Sequence, residues 1–175
     1  MGTGLLIRDT DRTGEPFEVR TYSPADRPAL AAMYADFEPK RGAQGLPPAD
    51  AAGIARWLDR VLVRGTHLVA IVNGQLRGHV MLVPMDAGVL ELANFVHQSA
   101  RERGIGTALN RIAVDAARSA GAQRVWLSVE PSNRAAIKSY ERAGFRRVPG
   151  TPWTPELEMT IELSPREERS SAGAA

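Results

Sequence analysis

The sequence predicts a mixed α/β fold with strand hairpins in its middle and a single βαβ crossover. Two observations carry this. Short alternating or apolar runs bounded by turn residues recur from Phe17 to Leu163, and segments with a 3.6-residue apolar period interrupt them. An apolar run from Gly88 to Val96 also leads through an Arg- and Gly-rich turn into an amphipathic segment that ends near Gly121.

Taken in order, Phe17 to Tyr22 alternates and reads as a first strand. Ser23-Pro24-Ala25-Asp26 then starts a helix, with Ser as cap, Pro at the first position and an acid at the third. That helix carries Leu30, Met33, Tyr34 and Phe37 on one face. Glu38 to Pro48 is a Gly- and Pro-rich loop of about eleven residues, longer than a typical connection and therefore a candidate binding loop. Asp50 caps a second helix striped with Ile54, Trp57, Leu58 and Val61. His67 to Val72 and Gln75 to Val83 are strands joined by Asn73-Gly74, a two-residue hairpin signal.

Pro84 to Gly88 turns into a strand over Val89–Val96. The helix after Gly106 buries Leu109, Ile112, Ala116 and Ala120 and ends at Gly121. A strand over Arg124–Val129, a short helix over Asn133–Arg142, a strand over Phe145–Val148 and a strand over Glu156–Leu163 complete the order. Polar residues 1–15 and small, polar residues 165–175 read as mobile tails on either side of one domain spanning 16–164.

The composition excludes several classes. A chain of 175 residues, 43% hydrophobic and 24% charged, suits one globular domain. No apolar run reaches the roughly 18 residues that span a bilayer, and the N-terminus lacks a signal-peptide core, so a soluble cytoplasmic protein is expected. With no cysteine there is no disulfide, thiolate metal site or cysteine acyl-enzyme. His67, His79 and His97 lack metal-ligand spacing; a structural or surface role is expected for each, and no metal. The net charge is +2 with scattered arginines, which gives no nucleic-acid or membrane footprint.

The chemistry concentrates in Val96-His97-Gln98-Ser99-Ala100-Arg101-Glu102-Arg103-Gly104-Ile105-Gly106-Thr107. Glycines before a helix permit close backbone approach, the first-turn N–H groups point at a guest, and Arg101 and Arg103 add forked donors suited to phosphate. The pattern alone leaves three readings open. The first is a plain tight turn. The second, a Rossmann dinucleotide site with Glu130 on the ribose, is disfavoured because Leu109 occupies the third glycine position and too few strands follow. The third is an acyl-CoA cradle.

For the third, the chain resembles the GNAT (Gcn5-related N-acetyltransferase) superfamily. Arg101-x-x-Gly104-x-Gly106, with Val96 five residues earlier, matches one signature of that family. Asn133-Arg134-Ala135-Ala136-Ile137-Lys138-Ser139-Tyr140-Glu141-Arg142-Ala143-Gly144-Phe145 matches the other, an Asn, a Tyr seven residues on, then Gly-Phe. The resemblance is densest over residues 88–148. Many members carry Pro where this chain has Gln98, a position expected to shape the turn and bind nothing through its side chain.

The resemblance implies a GNAT fold: a mixed, mostly antiparallel central sheet with helices on both faces and a βαβ acyl-CoA-binding crossover. It implies transfer of an acetyl group from acetyl-CoA, a co-substrate, to a primary amine of a small molecule or protein, by direct attack in a ternary complex. The strands before and after the crossover helix would splay around the pantetheine arm, with backbone groups of Phe95 and Val96 near the acetyl carbonyl. Arg101, Arg103, Gly104, Ile105, Gly106 and Thr107 would hold the pyrophosphate, and Asn133 the pantetheine. Tyr140 would protonate the leaving thiolate.

Glu91, an acid amid Val89, Leu90, Leu92 and Phe95, is the candidate base, unless alternation aims it at solvent or a bulge shifts its register. Asp36, Phe37, Gln44 and Trp153 are candidates for the acceptor site. The family commonly forms homodimers, but no interface is legible in the sequence. The rival reading is a non-catalytic acyl-CoA-binding sensor or partner module; the presence of Tyr140 and Glu91 favours the enzyme.

Overall fold

A single eight-stranded sheet runs through the structure, a computed structural model that describes residues 4–39, 47–86, 88–150 and 155–163. The strands are β1 (Leu6–Thr10), β2 (Pro16–Thr21), β3 (Thr66–Val72), β4 (Gln75–Asp86), β5 (Val89–Val96), β6 (Arg124–Val129), β7 (Arg146–Arg147) and β8 (Leu157–Glu162). They lie in the order β1-β2-β3-β4-β5-β6-β8-β7, and every neighbouring pair is antiparallel except β5–β6. Helices α1 (Arg27–Ala35) and α2 (Ala51–Val61) cover one face, and α3 (Ile105–Ser119) and α4 (Arg134–Arg142) the other.

Local chemistry explains the element ends. Ser23 and Asp26 form the expected capping box, although the turn they start, Pro24–Asp26, is a 3-10 turn that runs into α1. Asp50 accepts the Gly53 N–H at 2.8 Å and caps α2. Asn73 and Gly74 both take positive φ, 49° and 74°, as the two-residue hairpin between β3 and β4 requires. Past α3, Gly121 (φ 79°) donates to the Arg118 carbonyl, and Ala122 to that of Ala117, closing a Schellman motif.

The N-terminal stretch read as part of a mobile tail instead contains β1, paired with β2 from Leu6↔Arg20 to Thr10↔Pro16. The turn between them is built by the buried Asp11, whose Oδ1 accepts from Thr13 N–H (2.8 Å), Thr13 Oγ1 (2.7 Å) and Glu15 N–H (3.1 Å). An edge strand with mostly exposed side chains shows no apolar alternation, which is why the sequence pattern passed over it. The second tail, residues 165–175, lies outside the described residues.

Two apolar layers flank the sheet. Leu92, Ile105, Leu109, Ala113, Leu127, Tyr140 and Met159 belong to the layer beneath α3 and α4. Leu30, Tyr34, Phe37, Ile54, Leu58 and Phe95 belong to the layer beneath α1 and α2. The pairing of β5 with β6 covers only Val89–Glu91 against Arg124–Trp126. Beyond it the strands part, and a wedge opens between Leu92–Val96 and Leu127–Val129.

Candidate active site

The wedge exposes strand edges. His97 N–H donates to the Arg77 carbonyl at 2.9 Å in the β4 direction, and Val96 faces Gly78 across the same ladder. By antiparallel alternation Phe95 turns its main-chain groups to β4, whereas Val96 and Asn94 turn theirs into the wedge. The Val96 carbonyl takes the Arg101 Nε–H at 2.8 Å, and the Val96 N–H faces the opening. Of the two residues expected to present backbone groups to an acyl carbonyl, Val96 has the suitable orientation.

A polar chain lines the α3 side of the wedge. Asn94 Nδ2 donates to the Gly106 carbonyl (3.0 Å) and to Asn110 Oδ1 (2.7 Å). Asn110 Nδ2 donates to Ser139 Oγ (3.1 Å), which lies 3.0 Å from Thr107 Oγ1. Asn94 Oδ1 is buried with no partner among the described residues. A Cβ on Gly106 would stand 3.4 Å from Val96 Cγ2, so the start of α3 lies within contact distance of β5.

The turn into α3 is open to an anion. Gly104 is the N-cap in a left-handed conformation (φ 90°) and offers no capping side chain, leaving the first-turn N–H groups available. Arg103 lines the cavity beside it and pairs with Asp11 at 2.5 Å. Thr107 lines the same cavity, whereas Ile105 is fully buried in the core. Arg101 is committed elsewhere: its donors go to the carbonyls of Val96 and Glu38, and its guanidinium lies 5.0 Å above the Phe37 ring. Asn133 caps α4 by accepting the Ala136 N–H at 3.2 Å.

Glu91 and Tyr140 approach from opposite faces of the sheet. Glu91 shares its face with Ala93 and Phe95, stands beside Trp126 where β5–β6 pairing ends, and is half-buried. The ladder irregularity lies at Pro84/Asp86, so β5 is regular from Leu90 to Val96. Trp126 Nε1 donates to Glu158 at 3.2 Å on that same face. Tyr140 lies in the opposite layer, its ring 5.8 Å from that of Phe145. Burial pushes its phenol up to about 12, and the hydroxyl makes no hydrogen bond to a described residue.

Residues 30–145 match the Acetyltransferase (GNAT) family. The chain belongs to this family. It is similar to a mycothiol acetyltransferase from Mycolicibacterium vanbaalenii, 38% identical over 96 residues, 49% of this chain and 31% of the relative. The chain thus aligns with about a third of that relative's length. Among solved structures it resembles the GNAT domain of PAT from S. lividans (TM-score 0.75, 21% identity, 90% of this chain and 97% of that one). It also resembles ribosomal-protein-alanine N-acetyltransferase from Brucella melitensis (0.67, 26%, 83% and 99%). A third, yncA from Salmonella typhimurium, was solved with its cofactor acetyl-CoA (0.66, 20%, 91% and 99%).

Within this GNAT fold the expected acceptor residues divide. Asp36 is exposed and its Oδ2 lies 3.0 Å from His97 Nε2, whereas Phe37 is buried against Tyr34 and Phe95. Phe37 is therefore a core residue and not a surface contact. Gln44 and Trp153 lie outside the described residues. Gln98, expected only to shape its turn, accepts the Glu38 N–H at 3.0 Å and donates to the Asp36 carbonyl. The Asn94–Asn110–Ser139 chain matches no motif in the sequence, and its signal there is two asparagines in otherwise apolar element faces. No helix among the described residues is long and apolar enough to cross a membrane, and no described cluster of His, Asp or Glu could hold a metal ion.

Proposed function

We propose that this GNAT-family chain transfers the acetyl group of acetyl-CoA to a primary amine by direct attack in a ternary complex. The observation that carries the reading is the wedge between β5 and β6, with an acid on one face, a phenol on the other and an open helix start beside it. Asn94 Oδ1, buried and with no partner among the described residues, fits an N–H of an amide-bearing pantetheine arm laid along the strand edge.

In this reading the amine nitrogen attacks the thioester carbon from the Glu91 face. Its surplus proton goes to Glu91, directly or through water. The Val96 N–H supports the developing oxyanion, the term that is usually largest in acyl transfer. As the C–S bond breaks, the electron pair leaves with sulfur, and Tyr140 supplies the proton. A phenol at about 12 is protonated at neutral pH, so the acid is always loaded. No cysteine is present to form a cysteine acyl-enzyme.

The names of the relatives include a mycothiol acetyltransferase and a ribosomal-protein-alanine N-acetyltransferase, so small-molecule and protein amines both belong in the acceptor screen. The test is calorimetric titration with acetyl-CoA, followed by an amine panel read by CoA-thiol release. The cysteine-free chain adds no thiol background to that assay. Binding with amine-dependent release is expected. Binding with no release across the panel would favour the sensor reading, and no binding would overturn the donor assignment.

A further inference from the structure

We propose that the β1–β2 hairpin forms a wall of the donor site and that Arg12 at its tip binds a phosphoryl group of the CoA nucleotide. This rests on the acetyl-CoA reading above. It concerns residues that precede the matched family region, 30–145.

The hairpin tip is built onto the phosphate turn. Arg12 N–H donates to the Arg103 carbonyl at 3.0 Å, and the Asp11 carboxylate that organises the hairpin turn also pairs with Arg103. The Arg12 side chain then lies across Gly104: its Nε is 3.4 Å, and its Cδ 3.8 Å, from where a Cβ on that glycine would stand. A guanidinium is thereby held at the N-terminal end of a 15-residue helix.

That placement has an electrostatic consequence. Arg12 borders an open cavity of about 560 Å³ whose wall also includes Arg103, Arg111 and Arg142. Against these four arginines the wall carries two aspartates, Asp9 and Asp11, and Asp11 is already engaged by Arg103. The guanidinium of Arg12 has no hydrogen bond or ion pair to a described residue, and that of Arg111 reaches only the Arg142 carbonyl. Arg12 and Arg103 stand at the positive end of the α3 dipole, Arg111 and Arg142 line the same wall, and these cations repel one another until an anion arrives. A phosphate with several acceptor oxygens matches both the forked donors and the free first-turn N–H groups.

Calorimetry with acetyl-CoA and with acetyl-dephospho-CoA, which lacks the 3′-phosphate but keeps the pyrophosphate, tests the assignment. Arg12→Ala and Arg12→Gln should each weaken acetyl-CoA binding by about tenfold, the scale of one lost charge-assisted contact. Arg12→Lys should restore part of it. Arg60→Ala, on α2 across the sheet, should bind as the parent does. A loss that persists with acetyl-dephospho-CoA places Arg12 on the pyrophosphate, and a loss that vanishes places it on the 3′-phosphate; either supports the proposal. Parent-like affinity in both the Ala and Gln variants, with unchanged thermal unfolding, would overturn it. If the parent itself does not bind acetyl-CoA, the functional reading fails and this inference falls with it.

Discussion

The Tyr34 hydroxyl donates to His79 Nδ1 at 2.6 Å in the centre of the α1/α2 layer. The direction follows from the far end of the chain. His67 Nε2 lies 2.8 Å from the Arg64 carbonyl, which can only accept, so that nitrogen carries the proton. His67 Nδ1 must then accept from His79 Nε2–H at 3.0 Å, leaving His79 Nδ1 to accept from Tyr34. Both imidazoles are neutral and fully used. Because His79 faces Phe95 across the β4–β5 ladder, this chain anchors α1 to the sheet next to the proposed acyl position.

Acid stability should report on that chain. Burial lowers His79 to about 3, with the neighbouring His67 adding to the effect, and burial also lowers His67. In the unfolded chain histidine titrates near 6.5. The unfolded state therefore binds more protons below that pH, and the stabilisation is fully present above about 6.5 and lost as pH falls toward about 3. Keeping His79 neutral costs about 1.4 kcal/mol per pH unit in that window. Urea unfolding at pH 7.5 and pH 5 measures the slope. His79→Gln should be less stable by about 1–3 kcal/mol at pH 7.5 yet lose less on acidification; an unchanged slope would remove His79 as its source.

Tyr140→Phe separates chemistry from structure. The hydroxyl has no described partner to leave unsatisfied, so the variant should unfold within about 0.5 kcal/mol of the parent. Acetyl-CoA affinity should change little, while kcat falls by about a hundredfold, the lower range for a lost general acid. Retention of the parent kcat would exclude Tyr140 as the proton donor.

Glu91→Gln should lower kcat/KM at neutral pH by about tenfold to a hundredfold, through loss of proton acceptance. The deficit should shrink at higher pH, where more of the free amine arrives unprotonated. A pH profile of kcat/KM for parent and variant checks this. A constant ratio across the profile would count against Glu91 as base.

Gln98→Ala should act on the acceptor side. Its side chain clips both the Asp36 carbonyl and the Glu38 N–H, which fixes where the loop after α1 leaves the helix. Removing it frees the loop without touching the open amides of α3. The expected result is a raised acceptor KM with acetyl-CoA affinity within about twofold, since twofold is only about 0.4 kcal/mol. Equal losses in both would place Gln98 in the donor site.

Wherever a local rule suffices, the sequence determines the element. Asn73-Gly74 requires positive φ at both positions, Asp50 and Ser23 can satisfy free helix N–H groups, and Gly121 can take the left-handed C′ position. The open helix start at Gly104 was legible for the same reason: its chemistry lies within a few residues of itself. Contacts between residues distant in sequence were decided only in the tertiary structure. Gln98 and Asp36 are 62 positions apart, and Arg103 and Asp11 are 92 apart. Strand pairing aligned Glu91 with Trp126 and put Tyr140 behind the opposite face. Arg101 turned to main-chain carbonyls that no spacing announces, and β1 pairs with β2 through a turn that Asp11 organises and holds to Arg103. Propensity and capping act over one or two turns of chain, whereas the aim of a side chain depends on which surface the sheet brings opposite it.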